Sequence, residues 1–400
     1  MIHSRLVMAW VVSSVLASGV ALAADKYALL IGVTKYKQPG MSALKYPEED
    51  AQALGELLQS GGYEVELLLG PVATQKAIRE KRDALRKQGT AEGAIALGPF
   101  GHVVEAEKLL TNTLGMKLTL IPNGEFQMGS TDADIDAVKK MNPFFRISQF
   151  MDELPQHEVR ITQPFYLGVH EVTKGQFAAF VKAQSYQTEA EKDGDGGFGF
   201  DGEKFEMRPE YTWRNPGFTQ TDDHPVLNVT WNDAVAFCEW LSLKEGKTYQ
   251  LPTEAQWEYA CRAGTTTPFH IGSVNDGEKA NINGDYPYGT ETRGPNLKGT
   301  STVGSYAGNA FGLYDMHGNA FEWCQDRSDF KAYASRIGVT VDPLITGTTG
   351  RILRGGSWND AGIHCRSANR IWFIPRYRSS CFGFRVLRTV VGSGPLGQGF

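Results

Sequence analysis

The residues best suited to redox, metal or nucleophilic chemistry are five cysteines and a few scattered histidines. No two cysteines form a CxxC pair, and no cysteine–histidine spacing is that of a structural zinc site. The histidines stand in no Ser-His-Asp order that would indicate a hydrolase. The cysteines are Cys238, Cys261, Cys324, Cys365 and Cys381, and the histidines in question are His157, His170, His224 and His364.

The acidic stretch EKDGDGGFGFDGEK has the composition of a calcium-binding loop but not its spacing. Counted from Asp193, positions five, six and twelve are Gly197, Phe198 and Lys204. An EF-hand needs an acid or amide, a glycine and a glutamate at these positions. The stretch therefore does not predict an EF-hand.

Arginine and tryptophan recur between residues 354 and 385, and two explanations stay open. Guanidinium groups and indoles could line a ligand groove by stacking and bidentate hydrogen bonding. Buried arginine–carboxylate pairs could instead hold an irregular, loop-rich fold together. The residues are Arg354, Arg366, Arg370, Arg385, Trp358 and Trp372.

Three helices with clear start signals must position these residues. The predicted N-cap residues of these helices are, in chain order, Thr173, either Thr230 or Asn232, and Thr253. The first helix carries Phe177, Phe180 and Val181 on one face, and Ala236, Phe237 and Trp240 of the second are predicted to face inward. The third helix contains Trp257 and Tyr259. Before these helices, MKLTLIPNGEFQMGS contains two short apolar runs around a Pro-Asn-Gly turn, which predicts a β-hairpin.

The first quarter of the chain has a different pattern. Residues 26–70 alternate a short apolar strand, an amphipathic helix (EEDAQALGELLQSGG) and a second strand, which predicts a βαβ unit. Residues 74–88 predict a further helix with a basic, solvated face. Residues 90–114 are typical of a connector, with a short helix around Val103 to Leu110.

Both ends of the chain differ in composition from the rest. In residues 1–24, Arg5 precedes an apolar run and the small-x-small sequence Ala21-Leu22-Ala23, which predicts a cleaved secretory signal peptide. An uncleaved anchor helix is the alternative. The mature chain would then be secreted or periplasmic, without a membrane segment. The glycine-rich residues 389–400 predict a flexible tail.

Composition bounds the remaining possibilities. Four hundred residues and 44.0 kDa favour two or three folding units. Forty Lys and Arg against 45 Asp and Glu give a net charge of −5, which lacks the basic excess that nucleic-acid binding requires. The 45 glycines indicate a loop-rich fold.

The βαβ unit resembles the opening of caspase-like (metacaspase-type) peptidase domains, from ALLIGV through YEVELL. Such a peptidase also needs a histidine and a nucleophilic cysteine on later strands. The next cysteine here is Cys238 and the only nearby histidine is His102. The resemblance therefore implies a truncated caspase-like segment over residues 25–89, without peptidase activity.

Residues 115–388 resemble the formylglycine-generating enzyme family, also called sulfatase-modifying factors. Five successive blocks carry the resemblance: GEFQMGS, HPVLNVTW, LPTEAQWEYACRAGT, GLYDMHGNAFEW, and LRGGSW with a terminal GFRV. The resemblance implies an α+β fold with limited regular structure, related to C-type lectins.

The resemblance also implies where an oxidase site would lie. Oxidases of that family convert a sulfatase cysteine into formylglycine with O₂ and a copper(I) ion held by two cysteines five residues apart. The first lies three residues after the serine of the GGS motif, which here is Ser357. That position is Asp360 and the second is Cys365. Because a hard carboxylate cannot replace a thiolate toward soft Cu(I), copper is not expected.

Cys365 has further interpretations. A slightly gapped match implies a structural disulfide with Cys261, while a free thiol and a metal ligand or nucleophile are the alternatives. Ser357 and Cys365 are therefore the candidate catalytic residues only if oxidase activity remains.

Calcium is the expected cofactor. The resemblance implies one ion bound by Asp315, the carbonyls of Gly318 and Ala320, and Glu322, a donor set that suits a hard cation. The alternative is a turn capped by Asp315 with Glu322 in a salt bridge. A second ion would use the carbonyls of Asn281 and Ile282, although Pro295 stands where an aspartate is needed.

Taken together, these features predict an exported, calcium-stabilised domain of this family that binds an unidentified ligand or partner without the copper reaction. The alternative is an active formylglycine-generating oxidase acting on sulfatase cysteines.

Overall fold

The computed structural model describes residues 107–141, 147–336, 338–347 and 349–390 in full, together with the backbone of five earlier strands. The chain divides into two compact units, one of residues 1–108 with 390–400 and one of residues 109–389. In these described ranges, no helix is long and apolar enough to cross a membrane.

The first unit contains a parallel strand pair, as a βαβ pattern requires. β2 and β3 run parallel with Tyr27 opposite Glu64, and β1 pairs antiparallel with β2. The expected helices between β2 and β3 and over residues 74–88 lie outside the described residues, as does the tail beyond residue 390. The strands are β1 (Met8–Ser13), β2 (Lys26–Gly32), β3 (Glu64–Leu69), β4 (Ile95–Leu97) and β5 (Val103–Glu105).

The short helix expected around Val103 to Leu110 is wrong. Val103–Glu105 is β5, which pairs antiparallel with β4, and Leu109–Thr111 is the first strand of the second unit. Leu110 there lies opposite Leu118. β-Branched valines and cross-strand leucine pairing favour strands over a helix at this point.

The second unit is an α+β fold of short elements arranged in four small sheets. Its helices are α1 (Asp132–Met141), α2 (Lys174–Gln184), α3 (Glu189–Asp193), α4 (Trp231–Glu245) and α5 (Glu254–Arg262). Its strands are β6 (Leu109–Thr111), β7 (Lys117–Ile121), β8 (Gly124–Met128), β9 (His157–Ile161), β10 (Phe165–Gly168), β11 (Gly197–Phe200), β12 (Phe205–Arg208), β13 (Tyr249–Gln250), β14 (Phe321–Arg327), β15 (Thr340–Val341), β16 (Arg351–Arg354), β17 (Arg370–Phe373), β18 (Phe382–Gly383) and β19 (Leu387–Thr389).

The sheets combine strands that are distant in sequence. Their orders are β13-β19-β10-β7-β6, β17-β16-β14-β18, β15-β9-β8 and β11-β12. The hairpin predicted for MKLTLIPNGEFQMGS is wrong, although both of its strands form. β7 pairs with β6 and β10, whereas β8 pairs with β9 over five residues. Strands elsewhere in the chain therefore replace the local pairing.

The capping predictions are confirmed. Thr173, Thr230 and Thr253 each accept a hydrogen bond from the backbone three residues on, and each forms a capping box. These caps satisfy amide groups that the first helical turn leaves without partners. The face of α2 that carries Phe177, Phe180 and Val181 is buried, in agreement with the prediction, and Trp257 and Tyr259 of α5 are buried as well.

The inward face of α4 differs in part from the prediction. Phe237 is buried, but Ala236 and Trp240 are only half-buried. Ala234, Cys238 and Leu241 occupy the core positions in their place. The buried face of α4 is therefore rotated by part of a helical turn relative to the predicted face.

Candidate functional site

The segment that follows β16 brings Ser357, Asp360 and Cys365 together. Gly355 and Gly356 have φ values of 99° and 77°, which favour glycine. A Cβ atom on Gly356 would lie 2.3 Å from the Sγ atom of Cys365. Only glycine therefore lets the backbone approach this thiol so closely.

Asp360 stands at the first of the two thiolate positions and bonds to the neighbouring serine. The Ser357 hydroxyl donates a hydrogen bond to the Asp360 carboxylate, and Asn283 N donates to the Asp360 carbonyl at 3.0 Å. Burial raises the pKa of Asp360. The Ser357 hydroxyl is therefore already hydrogen-bonded to a carboxyl group.

Cys365 is 0% exposed, and its environment disfavours ionisation of the thiol. Its Sγ atom lies 3.7 Å from the Ala361 carbonyl. Burial and the charge of Asp360 raise the pKa of Cys365 well above its ordinary value. Since the thiolate is the nucleophile and the metal ligand, this side chain is unreactive as placed.

The expected disulfide between Cys261 and Cys365 is wrong, because all five cysteines are buried free thiols. The Sγ atom of Cys261 lies 3.8 Å from Nε2 of His317, whose Nδ1 donates to the Cys365 carbonyl at 2.9 Å. His270 N donates to Nε2 at 2.8 Å. His317 therefore contacts both cysteines, a role that its place in GLYDMHGNAFEW could have indicated.

A groove of about 240 Å³ lies beside the Ser357–Cys365 segment. The Gly362 amide donates to the Tyr286 carbonyl at 3.0 Å, which connects the loop that carries the tyrosines to this segment. Tyr286 itself is 59% exposed. The groove can therefore offer apolar contact and ring stacking. Its apolar lining comprises Met141, Tyr286, Pro287, Tyr288, Ala361 and Ile363.

The loop predicted to bind calcium folds tightly onto the Asn281 segment. Asp315 and Asn319 have φ values of 62° and 65°, and Gly318 has 151°. Asn319 N donates to the Asn281 carbonyl at 2.8 Å, and a Cβ on Gly318 would lie 2.3 Å from that oxygen. Ile282 is buried beside it.

Glu322 is already neutralised, as in the salt-bridge alternative. Arg385 Nε and a terminal nitrogen donate to its two oxygens at 2.5 and 2.6 Å. The Trp257 indole donates to Oε2 at 2.7 Å. The geometry of Glu322 is therefore that of the salt-bridge alternative, and its role as a calcium ligand stays a prediction.

Asp315 faces Glu171, a partner that sequence reasoning missed. Burial and the charge of Asp315 raise the pKa of Glu171, while burial raises the pKa of Asp315 to about 6. The two carboxyl groups hydrogen-bond to each other, and among the described residues Asn281 Oδ1 is buried without a hydrogen-bond partner. Since 144 residues separate the two carboxylates, no local pattern indicates the pair.

No group of three or more His, Cys, Asp or Glu side chains in the described part of the chain is arranged to hold a metal ion. A calcium site here would use fewer carboxylates, supplemented by amide and carbonyl oxygens. Hard cations accept such ligand sets in proteins.

The arginines identified in the sequence form buried ion pairs. Arg366 and Arg370 bind Glu153 and Glu254 through two hydrogen bonds each, all between 2.7 and 2.9 Å. Arg354 bonds to Glu258, and Trp358 is buried. Of the open explanations, the structure supports the one in which these arginines hold the fold together.

Comparisons with families agree with both resemblances. The family model described as the sulfatase-modifying factor enzyme 1-like domain matches residues 105–390, and that of the caspase domain matches residues 25–157. The expected α+β fold is confirmed by the structure of PvdO from Pseudomonas aeruginosa. That protein has a TM-score of 0.57 and 27% identity, over 72% of this chain and 100% of its own.

The individual relatives include both formylglycine-generating enzymes and a protein kinase. Formylglycine-generating enzymes from Bos taurus and Streptomyces coelicolor are each 34% identical, over 67% and 66% of this chain and 74% and 87% of their own length. The serine/threonine-protein kinase pkn1 of Chlamydia pneumoniae is 30% identical over 68% of this chain but only 38% of its own.

Proposed function

Because this chain belongs to the sulfatase-modifying factor family, we propose that its second unit binds a ligand or protein partner on that scaffold without the copper-dependent oxidase reaction. Asp360 carries this proposal, since it supplies a carboxylate where two thiolates are needed for Cu(I). The burial of Cys365, which raises the pKa of its thiol, adds support.

The groove beside residues 357–365 is the proposed binding surface. Tyrosine rings and a proline offer apolar area, while Asp285, Glu291 and Arg293 at its margin supply charges that could orient a ligand. The match to a large protein kinase over a minor part of its length also supports a role for such domains outside stand-alone oxidases.

The second candidate is a formylglycine-generating oxidase that acts on sulfatase cysteines through Cys365 and Ser357. The 34% identity to enzymes of that name favours it. Such a reaction would require Cys365 to become exposed and lose its proton.

One assay separates the candidates. The full mature chain is incubated with Cu(I), O₂ and a peptide containing a CxPxR motif, and mass spectrometry follows conversion of the peptide cysteine into formylglycine. We expect no conversion. Turnover that disappears in Cys365→Ser and persists in the matched control Cys238→Ser would overturn the binding proposal.

Three further properties are part of the proposal. The pattern in residues 1–24 supports export and a mature N-terminus at Ala24 or Asp25. The caspase-like segment is proposed to lack peptidase activity. Calcium is proposed to stabilise the second unit through Asp315, the carbonyls of Gly318 and Ala320, and Glu322, with a second ion at Asn281 and Ile282.

A further inference from the structure

A row of three side chains crosses one face of the sheet that contains β14, β16 and β17. Arg327 of β14 lies directly opposite Arg351 of β16, and Arg351 lies opposite Phe373 of β17. Side chains in directly opposite positions on neighbouring strands point to the same face and contact each other. Two guanidinium groups and a phenyl ring therefore lie side by side, and none of the three residues lines the groove beside residues 357–365.

The two arginines form a like-charge pair. Like charges in directly opposite positions destabilise paired strands. Burial and the charge of Arg327 lower the pKa of Arg351. Both residues are half-buried, so their side chains remain within reach of a ligand. The pair therefore concentrates positive charge at an accessible position on this face.

Most hydrogen-bond donors of Arg351 are not used by the described part of the protein. An arginine side chain has five N–H donors. Nη1 donates to the Gln325 carbonyl at 2.6 Å, while Nε is buried without a partner among the described residues. The Cζ atom lies 3.7 Å from the centroid of the Trp231 ring. The indole holds the guanidinium by a cation–π contact and leaves its N–H groups available.

The carboxyl group of Asp326, whose charge acts on Arg351, compensates that charge only in part. Its two oxygens accept hydrogen bonds from Ile345 N at 2.8 Å and Glu254 N at 2.7 Å. Burial and the charge of Glu254 raise the pKa of Asp326 to about 7. A large share of this carboxyl group is therefore uncharged near neutral pH.

We propose that Arg327 and Arg351 bind the phosphate group of an aryl phosphate, whose ring packs on Phe373. Guanidinium groups match phosphate oxygens through paired hydrogen bonds. Two of them balance the charge of a phosphate monoester, which approaches −2 at neutral pH. Phe373 is half-buried and stacks on Tyr377, with 4.2 Å between the ring centroids, so this end of the row is aromatic.

The test is calorimetric titration of the full mature chain with phenyl phosphate and with inorganic phosphate at constant ionic strength. We expect saturable binding of phenyl phosphate, tighter by roughly three-fold or more than that of inorganic phosphate. Arg327→Gln and Arg351→Gln should each weaken phenyl phosphate binding by about ten-fold or more, because each removes a charged donor. Arg160→Gln, the same change at an exposed arginine of β9, should bind as the wild type does.

The outcomes separate the two parts of the proposal. Heat that does not saturate in the wild type, or binding that is equal in the wild type and Arg327→Gln, would overturn the phosphate site. Equal affinity for phenyl phosphate and inorganic phosphate would overturn the contact with Phe373. If Arg351→Gln fails to fold because Trp231 loses its partner, Arg351→Lys keeps the charge without the planar fork. Binding in this variant as tight as in the wild type would contradict the role of the Arg351 guanidinium.

Discussion

Buried carboxylates in the second unit fall into two groups that differ in whether a guanidinium meets them. Glu153 and Glu254 are each held by two hydrogen bonds from Arg366 and Arg370. Glu171 instead faces Asp315, and the two carboxyl groups hydrogen-bond to each other.

The two groups respond to burial in opposite ways. Burial alone would raise the pKa of Glu153 and Glu254, but the neighbouring arginines hold both below their usual value. Without a free guanidinium, the pKa of Glu171 and of Asp315 is raised. The arginine-paired carboxylates are therefore held in the ionised form, whereas Glu171 and Asp315 are favoured in the protonated form.

The largest expected effect comes from breaking a paired carboxylate. Glu153→Gln leaves Arg366 buried without a counter-charge, so the free energy of unfolding should fall by about 3–5 kcal/mol. Urea unfolding at pH 7 measures it. Glu125→Gln, which breaks the exposed pair with Arg160, should change stability by about 1 kcal/mol or less. Equal losses of unfolding free energy in Glu153→Gln and Glu125→Gln would contradict the expected difference between buried and exposed ion pairs.

The pH dependence of the free energy of unfolding should distinguish buried carboxylates that are paired with arginine from those that are not. Burial and the charge of Glu254 raise the pKa of Asp326 to about 7 from an ordinary 3.8. The stability contributed by its protonated form is complete below pH 3.8 and is lost as the pH rises through about 7. Glu153 and Glu254, whose pKa is lowered, contribute above pH 4.5 and lose that contribution as the pH falls below it.

Unfolding measured between pH 5 and 8 tests this contrast. The wild type should lose stability toward pH 8, on the order of 3 kcal/mol from Asp326. Asp326→Asn should show a flatter profile, and Thr253→Ala should keep the wild-type slope. Parallel slopes in the wild type and Asp326→Asn would refute the assignment.

The smallest expected effect concerns the helix that carries Glu254 and Glu258. Thr253 begins α5 with a capping box. Thr253→Ala should lower the free energy of unfolding by about 1 kcal/mol, since it removes the cap but no ion pair. A loss as large as that of Glu153→Gln would mean that the cap itself positions the paired carboxylates.

Local features were predictable because short stretches of chain encode them. Thr173, Thr230 and Thr253 start helices through bonds to residues three positions on. The inward face of α4 was only partly predicted, because neighbouring elements decide which side of a helix becomes buried. The hairpin between β7 and β8 failed for the same reason, since both strands pair with distant partners.

The amino-acid sequence by itself determined that an acid replaces the first thiolate position, because Asp360 needs no folding to be recognised after Ser357. Only the tertiary structure decided which carboxylates receive a guanidinium. Glu322 lies 63 residues from Arg385, and Glu171 lies 148 from Asn319. Such partners are chosen by packing, because burial makes each charge depend on the few donors that the fold brings within reach.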